Sequence, residues 1–234
     1  VGNDPAEGVD GARMRARLRE LPTVPRLLAR AGYRTLQTGK WWEGSFADGG
    51  FTDGMTHGDP RRGGRHGDEG LRIGRPGHEP IAEFLDEDGV GTETPFFVWH
   101  APLLPHTPHD APPRPQERHP GRGRHAAEAR YFANCTRFDE SVGAVLDLLE
   151  ERGLTESTLV ILCVDNGWVT LESGRGDFAR SKRSPYERGI RTPVLLRWPG
   201  RIAPGLRPQA VSTIDVAPTI LAACGVPPPP EPAG

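Results

Sequence analysis

Of the 29 Lys and Arg residues in the chain, all but Lys40 and Lys182 are Arg. Arg stays protonated and presents a planar fork. Lys is a compact charge whose pKa falls beside another cation or on desolvation, so it can also give up a proton. Both lysines stand next to small residues in loop-like sequence, Gly39-Lys40-Trp41-Trp42 and Ser181-Lys182-Arg183-Ser184. That suits a pair of point charges held against an anion, although two surface lysines left behind by drift toward Arg would look the same. Gly39-Lys40 is not a phosphate-binding P-loop: six residues separate Gly32 from Gly39, and Trp41 stands where Ser or Thr would bind magnesium.

Two further clusters carry polar chemistry behind apolar runs. Asp165-Asn166-Gly167 follows TLVILCV, and two adjacent oxygen-bearing side chains at a strand end can face one hard cation. Asp-Asn-Gly is equally ordinary turn chemistry. Pro105-His106-Thr107-Pro108-His109 follows PFFVWHAPLL. Its prolines stiffen the loop and hold an imidazole that can donate a proton or bind an anion near neutral pH, and a solvated proline loop would read alike. His106 and His109 lack the i, i+4 spacing of a zinc protease. HExxH, GxSxG and a strand-to-helix GxGxxG are all missing.

The elements that must position these residues read as alternating helices and strands. Residues 1–20 are polar and Arg/Gly-rich and are expected to be loop. Val24, Leu27, Leu28 and Ala31 form one helical face, with Thr23 as cap, Pro25 in the first turn and Gly32 at the end. A strand over Tyr33–Gln37 feeds the Lys40 loop. Residues 43–80 are a long Gly/Asp/Arg/His-rich stretch of the kind that is usually functional or disordered. A short helix over Ile81–Leu85, a strand over Pro95–Trp99 and a Pro/His-rich loop follow. The strongest helix runs from Ala126 to Arg152, with Phe132, Cys135, Phe138, Val142, Val145 and Leu149 on one face. Thr158–Val164 and Pro193–Trp198 do not alternate and are expected to be fully buried strands; a last helix covers Ile214–Ala223. The pattern predicts an α/β fold, a mainly parallel sheet sandwiched between helices. It gathers ligand chemistry at the carboxyl ends of the strands, after Gln37, Trp99 and Val164.

Composition narrows the function. The formal net charge is −2, so no basic face invites nucleic acid. No apolar run approaches the roughly 20 residues of a membrane span. Cys135, Cys163 and Cys224 are odd in number, lack CxxC spacing and are expected to be buried free thiols. Asn134-Cys135-Thr136 fits a glycosylation pattern but falls inside the long helix.

Five segments in order resemble the sulfatase family of the alkaline-phosphatase-like superfamily: LPTVPRLLARAGYRTLQTGKWWEG, PFFVWHAPLLPHTPHDAP, ERGLTESTLVILCVDNG, SKRSPYERGIRTPVLLRWPGRI and STIDVAPTILAACGV. The resemblance covers residues 21–226, a partial catalytic domain between a loop-like segment over 1–20 and a Pro-rich tail over 227–234. It implies that Asp165 and Asn166 are two ligands of one calcium ion. It further implies that Lys40 and Lys182 hold sulfate oxygens, with Lys182 near the leaving oxygen, and that His106 helps protonate the leaving group. The implied substrate is a small-molecule or carbohydrate sulfate ester, and the implied compartment is the periplasm or the exterior. Trp41, Trp42 and Trp168 are placed to stack on a sugar or aryl group, or simply to pack.

The sequence departs from the family in three places. Trp42 stands where Gly-Lys-Trp-His has His, so that imidazole role falls to His57 or His66 or is vacant. Arg188 replaces a usual Gly in Tyr-Glu-Gly-Gly. No Cys or Ser begins the C/S-x-P-x-R motif that yields the family's formylglycine. The nucleophile and further aspartate ligands are therefore expected upstream of Val1, and the sheet edge they would occupy is expected to be open. Two rivals stand: a phosphoester or phosphonate hydrolase of the same superfamily, and a non-catalytic remnant of the fold.

Overall fold

A computed structural model describes residues 8, 10–41, 44–58, 68–111 and 125–229. Trp42 and His66 lie outside the described residues. The chain divides into two compact units, residues 1–103 with 216–234, and residues 104–215.

In the first unit, helix α1 spans Gly11–Glu20 where a loop was expected. Its arginines break the apolar period that marks a helix, yet Arg is a good helix former. Asp10 caps it by accepting the N–H groups of Ala12 and Arg13. Only Leu18 is buried, so the helix carries little hydrophobic signal. Helix α2 (Val24–Arg30) begins at Thr23 as predicted, but the Thr23 hydroxyl donates to Gly49 O rather than capping the helix. Strand β1 (Arg34–Gly39) follows. A short helix α3 (Phe46–Gly49) opens on a capping box of Ser45 and Asp48, and β2 is the two residues Asp53–Gly54. A 3₁₀ turn (Asp68–Arg72), helix α4 (Glu79–Leu85) and strand β3 (Phe96–Ala101) complete this stretch. Helix α7 (Val216–Ala223) returns to the same unit.

The sheet order is β2-β1-β3, all parallel, with Arg34 opposite Phe96 and Gly39 opposite Ala101. β1 is the central strand and is buried from Thr35 to Gly39. Its buried polar side chains are all partnered, as burial demands. Gln37 donates to Gly39 O and accepts from the Thr56 N–H, Thr35 and Thr52 exchange bonds, and the Thr38 hydroxyl donates to Trp99 O. Leu28, Leu36, Phe51, Ile81, Phe84 and Leu85 are the apolar core around it.

In the second unit, helix α5 spans Ala126–Glu151 and Gly153 (φ +66°) ends it. Strands β4 (Val160–Cys163) and β5 (Val194–Arg197) pair antiparallel, and the single turn α6 (Glu187–Ile190) precedes β5. Both strands were expected to be fully buried. Instead β4 is half-buried, and Leu195 and Leu196 are 58 % and 42 % exposed. Among the described residues they form a two-stranded ribbon, which leaves faces uncovered that an apolar run without alternation is built to bury on both sides. The cysteines are free; Cys163 is exposed, and Cys135 and Cys224 are half-buried rather than sealed in a core.

Gly39 shows how tightly β1 ends. Its φ is +81°, and a Cβ there would lie 2.1 Å from Ala101 O. Gly39→Ala should lower stability by about 3 kcal/mol, from the left-handed backbone plus the forced separation of β1 and β3. Gly153→Ala, also at positive φ but in open space, should lose only about 1 kcal/mol. Urea denaturation of the two variants checks this, and equal losses would contradict it.

Candidate functional site

The centre of the second unit is a backbone junction. The Gly167 N–H, one residue past Asp165-Asn166, donates to Gly189 O at 2.9 Å. A Cβ on Gly167 would lie 2.0 Å from Arg188 O, so only glycine lets these segments close. Gly189 in turn presses on the Lys182 turn: a Cβ there would lie 2.3 Å from Ser181 O and 2.6 Å from Ser184 O. Ser181, fully buried, donates to Asp177 O, and the Ser184 hydroxyl donates to Ser181 O. The strand end with the oxygen donors and the turn with Lys182 are thereby fastened together through Gly189. Arg183, beside Lys182, sits at φ +76°, an unfavourable region for a side chain that roughly 1–2 kcal/mol must hold in place. Its guanidinium lies 5.3 Å over the Phe178 ring.

At the strand end, Asp165 is exposed and Asn166 half-buried. Asp165 Oδ1 accepts the Asn166 N–H (2.9 Å) and Asn166 Nδ2 donates to Gly167 O (3.1 Å). The amide nitrogen is thus turned inward, and Asn166 Oδ1 and the carboxylate of Asp165 are the hard oxygens on offer. They suit a divalent cation that takes six to eight oxygens, but as two members of a shell. Among the described residues no three His, Cys, Asp or Glu side chains gather into a metal-holding group.

The Pro-His-Thr-Pro loop is held by a residue the sequence reading set aside. Asn134 on α5 is fully buried. Its Oδ1 accepts the Ala111 N–H (3.0 Å), and its Nδ2 reaches the carbonyls of Pro108 (3.1 Å), Pro105 and His106 (both 3.4 Å). The Asn-Cys-Thr pattern is therefore a loop clamp and no sugar acceptor. The available signal was its place seven residues after Ala127 and seven before Ser141, both buried: a polar side chain on the face that α5 buries. His106 is exposed, with Nδ1 3.1 Å from both Thr107 O and Thr107 Oγ1. His109 packs edge-on against Tyr131 at 5.6 Å.

Tyr131, Phe132 and Glu128 on α5 line a cleft of about 530 Å³ together with residues 167–170, Arg188 and Arg191. Trp168 is fixed in its wall: its Nε1 donates to Thr170 Oγ1, its ring meets Phe178 edge-on at 5.7 Å, and Gly176 backs it. Burial, aided by Cys135, pushes the Tyr131 phenol far above its ordinary range, so it is a neutral hydroxyl.

Lys40 and His57 belong to the first unit. The Lys40 N–H continues the β1–β3 ladder onto Ala101 O (2.6 Å), and Lys40 O accepts from Trp99 Nε1 (3.3 Å). His57 is exposed, with its backbone N–H on the Asp68 carboxylate (3.0 Å) and its ring 6.0 Å from Phe46. The sequence reading missed His100 on β3. Burial pushes its imidazole down to about 4, with the nearby His78 as a second cause. Its Nδ1 meets the Thr38 hydroxyl at 3.0 Å. The structure therefore unites Asp165, Asn166 and Trp168 with the Lys182 turn, and His106 stands on a loop clamped to the helix that lines the same cleft.

Oxygen donors, a lysine turn and an imidazole loop thus follow strands of an α/β fold, the edge where such folds bind ligands. The chain belongs to the Sulfatase family, whose sequence profile matches residues 4–226. It is 34 % identical to human arylsulfatase A over 151 residues, covering 63 % of this chain and 28 % of that protein. Among solved structures it is similar to BT4656 in complex with its substrate D-glucosamine-2-N,6-O-disulfate (TM-score 0.68, 21 % identity, 92 % of this chain and 63 % of that one). It is also similar to Ps i-CgsB in complex with k-i-k-neocarrahexaose (TM-score 0.67, 22 % identity, 88 % and 54 %). These two likenesses carry the fold, α/β and alkaline-phosphatase-like. The chain spans less than two thirds of the length of each of these proteins.

Two outcomes follow. Asn134→Ala should cost about 2 kcal/mol or more, because it removes a buried acceptor from the Ala111 N–H and a buried donor from the loop carbonyls; hydrogen exchange at Ala111 should speed up with it, and unchanged exchange would contradict the clamp. His100 binds its proton less readily folded than unfolded. Stability is therefore full above about pH 6.5 and falls as the pH drops toward about 4, by roughly 3 kcal/mol. Denaturation between pH 7 and 4 should show that slope, and His100→Gln should flatten it.

Proposed function

We propose that the protein containing this chain hydrolyses a sulfate ester, and that this chain supplies the cationic and proton-donating half of the site. The family match carries the reading, and the glycine junction that ties the Asp165-Asn166 strand end to the Lys182 turn supports it. A sulfate ester is a tetrahedral anion whose leaving oxygen gains charge as the S–O bond breaks, so fixed positive charge and a proton donor aimed there lower the barrier.

In this reading Asp165 and Asn166 would supply two oxygens to a calcium ion, whose chemistry would be added positive charge for an anionic substrate. A formylglycine, formed in a C/S-x-P-x-R motif that these 234 residues do not contain, supplies the attacking hydroxyl. Lys40 and Lys182 hold sulfate oxygens. Lys182, on the turn that holds Arg183 at positive φ, is the group for the leaving oxygen. His106 has Nδ1 engaged by Thr107, so proton exchange with the departing alcohol falls to Nε2. His57 is the described imidazole nearest in sequence to the position Trp42 fills. The periplasmic or extracellular setting is carried over from the family alone.

The whole protein, assayed against matched sulfate and phosphate esters of one alcohol, should prefer the sulfate; a preference for phosphate would install the phosphoester reading. In that enzyme Lys182→Arg should lower kcat by on the order of 10²-fold, since guanidinium keeps the charge but does not release its proton. A near-normal rate would reduce Lys182 to a charge. The 234-residue chain by itself should show no turnover, and measurable hydrolysis would overturn the division of labour.

A further inference from the structure

The cleft beside the strand end holds more cationic chemistry than the sulfate site uses. Arg188 and Arg191 both line it, together with Tyr131 and Trp168. Arg188 stands where the family's loop ordinarily has Gly. Its backbone is what closes on Gly167, so the position was open to any side chain that leaves the junction intact, and here it carries an exposed guanidinium. Among the described residues no ion pair or side-chain hydrogen bond engages that guanidinium. Arg191 contacts Glu187 at 3.3 Å, with both side chains at least 75 % exposed. Such a pair is screened and weak, and is readily exchanged for a better anion. Two guanidiniums beside aromatic walls match a ring that carries an oxyanion: the rings take its faces, and the forks take carboxylate or sulfate oxygens in pairs.

We propose that this cleft is a specificity subsite for a saccharide sulfate ester bearing a second oxyanion, with Arg188 and Arg191 gripping that second group and Trp168 and Tyr131 walling the ring. The assignment rests on the sulfate-ester reading above and names its substrate class as polyanionic saccharides, uronates or multiply sulfated sugars.

Calorimetric titration of the 234-residue chain separates the possibilities without turnover. Four disaccharides serve as probes: one neutral with a single ester sulfate, one with that sulfate plus a uronate carboxylate, one with two sulfates, and the uronate without sulfate. The second oxyanion should tighten Kd about tenfold over the neutral monosulfate. That ratio should collapse to near one in the Arg188→Ala/Arg191→Ala double variant and survive in part in Arg188→Lys. Circular dichroism of the variants confirms that these exposed positions leave the fold intact. A gain for the uronate alone assigns a carboxylate, and a gain for the disulfate alone assigns a sulfate. No gain for either, or a gain that persists in the double variant, overturns the subsite. If the sulfate-free uronate binds as well as its sulfated partner and loses affinity in the double variant, the subsite stands while the sulfate-ester reading falls.

Discussion

One contact organises the second unit: the approach of Gly167 to Gly189, with a 2.9 Å hydrogen bond and no room for a side chain between the segments. On one side of it lie the oxygen donors of the β4 strand end; on the other lie the buried Ser181 and the half-buried Ser184 that shape the Lys182 turn. Two glycines 22 residues apart therefore do for this site what a disulfide does elsewhere, and they do it with backbone alone. The strain at Arg183 belongs to the same construction. A turn that must present Lys182 while its carbonyls pack against Gly189 has few conformations left.

Polar anchoring recurs wherever a loop carries chemistry. Asn134 gathers four backbone groups of the Pro-His-Thr-Pro loop from inside helix α5. Gln37 does the same from the centre of β1, bonding Gly39 and Thr56 on either side of the Lys40 loop. Both side chains are fully buried amides. An amide is the natural choice, since it offers donors and an acceptor without a charge to desolvate.

How much of this was legible depended on the kind of signal. Helices α2 and α5 announced themselves through three- and four-residue spacing, and β3 through a short apolar run; β1 (RTLQTG) was read from its place between the stop at Gly32 and the Lys40 loop. Their boundaries shifted by two residues or fewer at most ends. Helix α1 was hidden because an arginine-rich surface helix has no apolar period. β4 and β5 read as strands correctly, but their burial did not follow. An apolar run reports what a strand is designed to be covered by, and the described residues cover these two only in part. The site residues were visible as types: retained lysines in a chain of arginines, an Asp-Asn pair at a strand end, a histidine between prolines. What joins them was not visible, because glycines needed for close approach and a buried Asn differ from ordinary loop and helix residues only once their neighbours are known. Trp42 and His66 lie outside the described residues.

The central claim is that the Asp165-Asn166 strand end and the Lys182 turn form one oxyanion site. Titrating inorganic sulfate into the isotope-labelled chain while following backbone amide resonances tests it directly. The amides of residues 165–167 and 181–184 should move together along one binding curve with a single Kd. Movement of only one segment, or two curves with unrelated midpoints, would mean that the junction is architecture alone and that the anion is handled elsewhere.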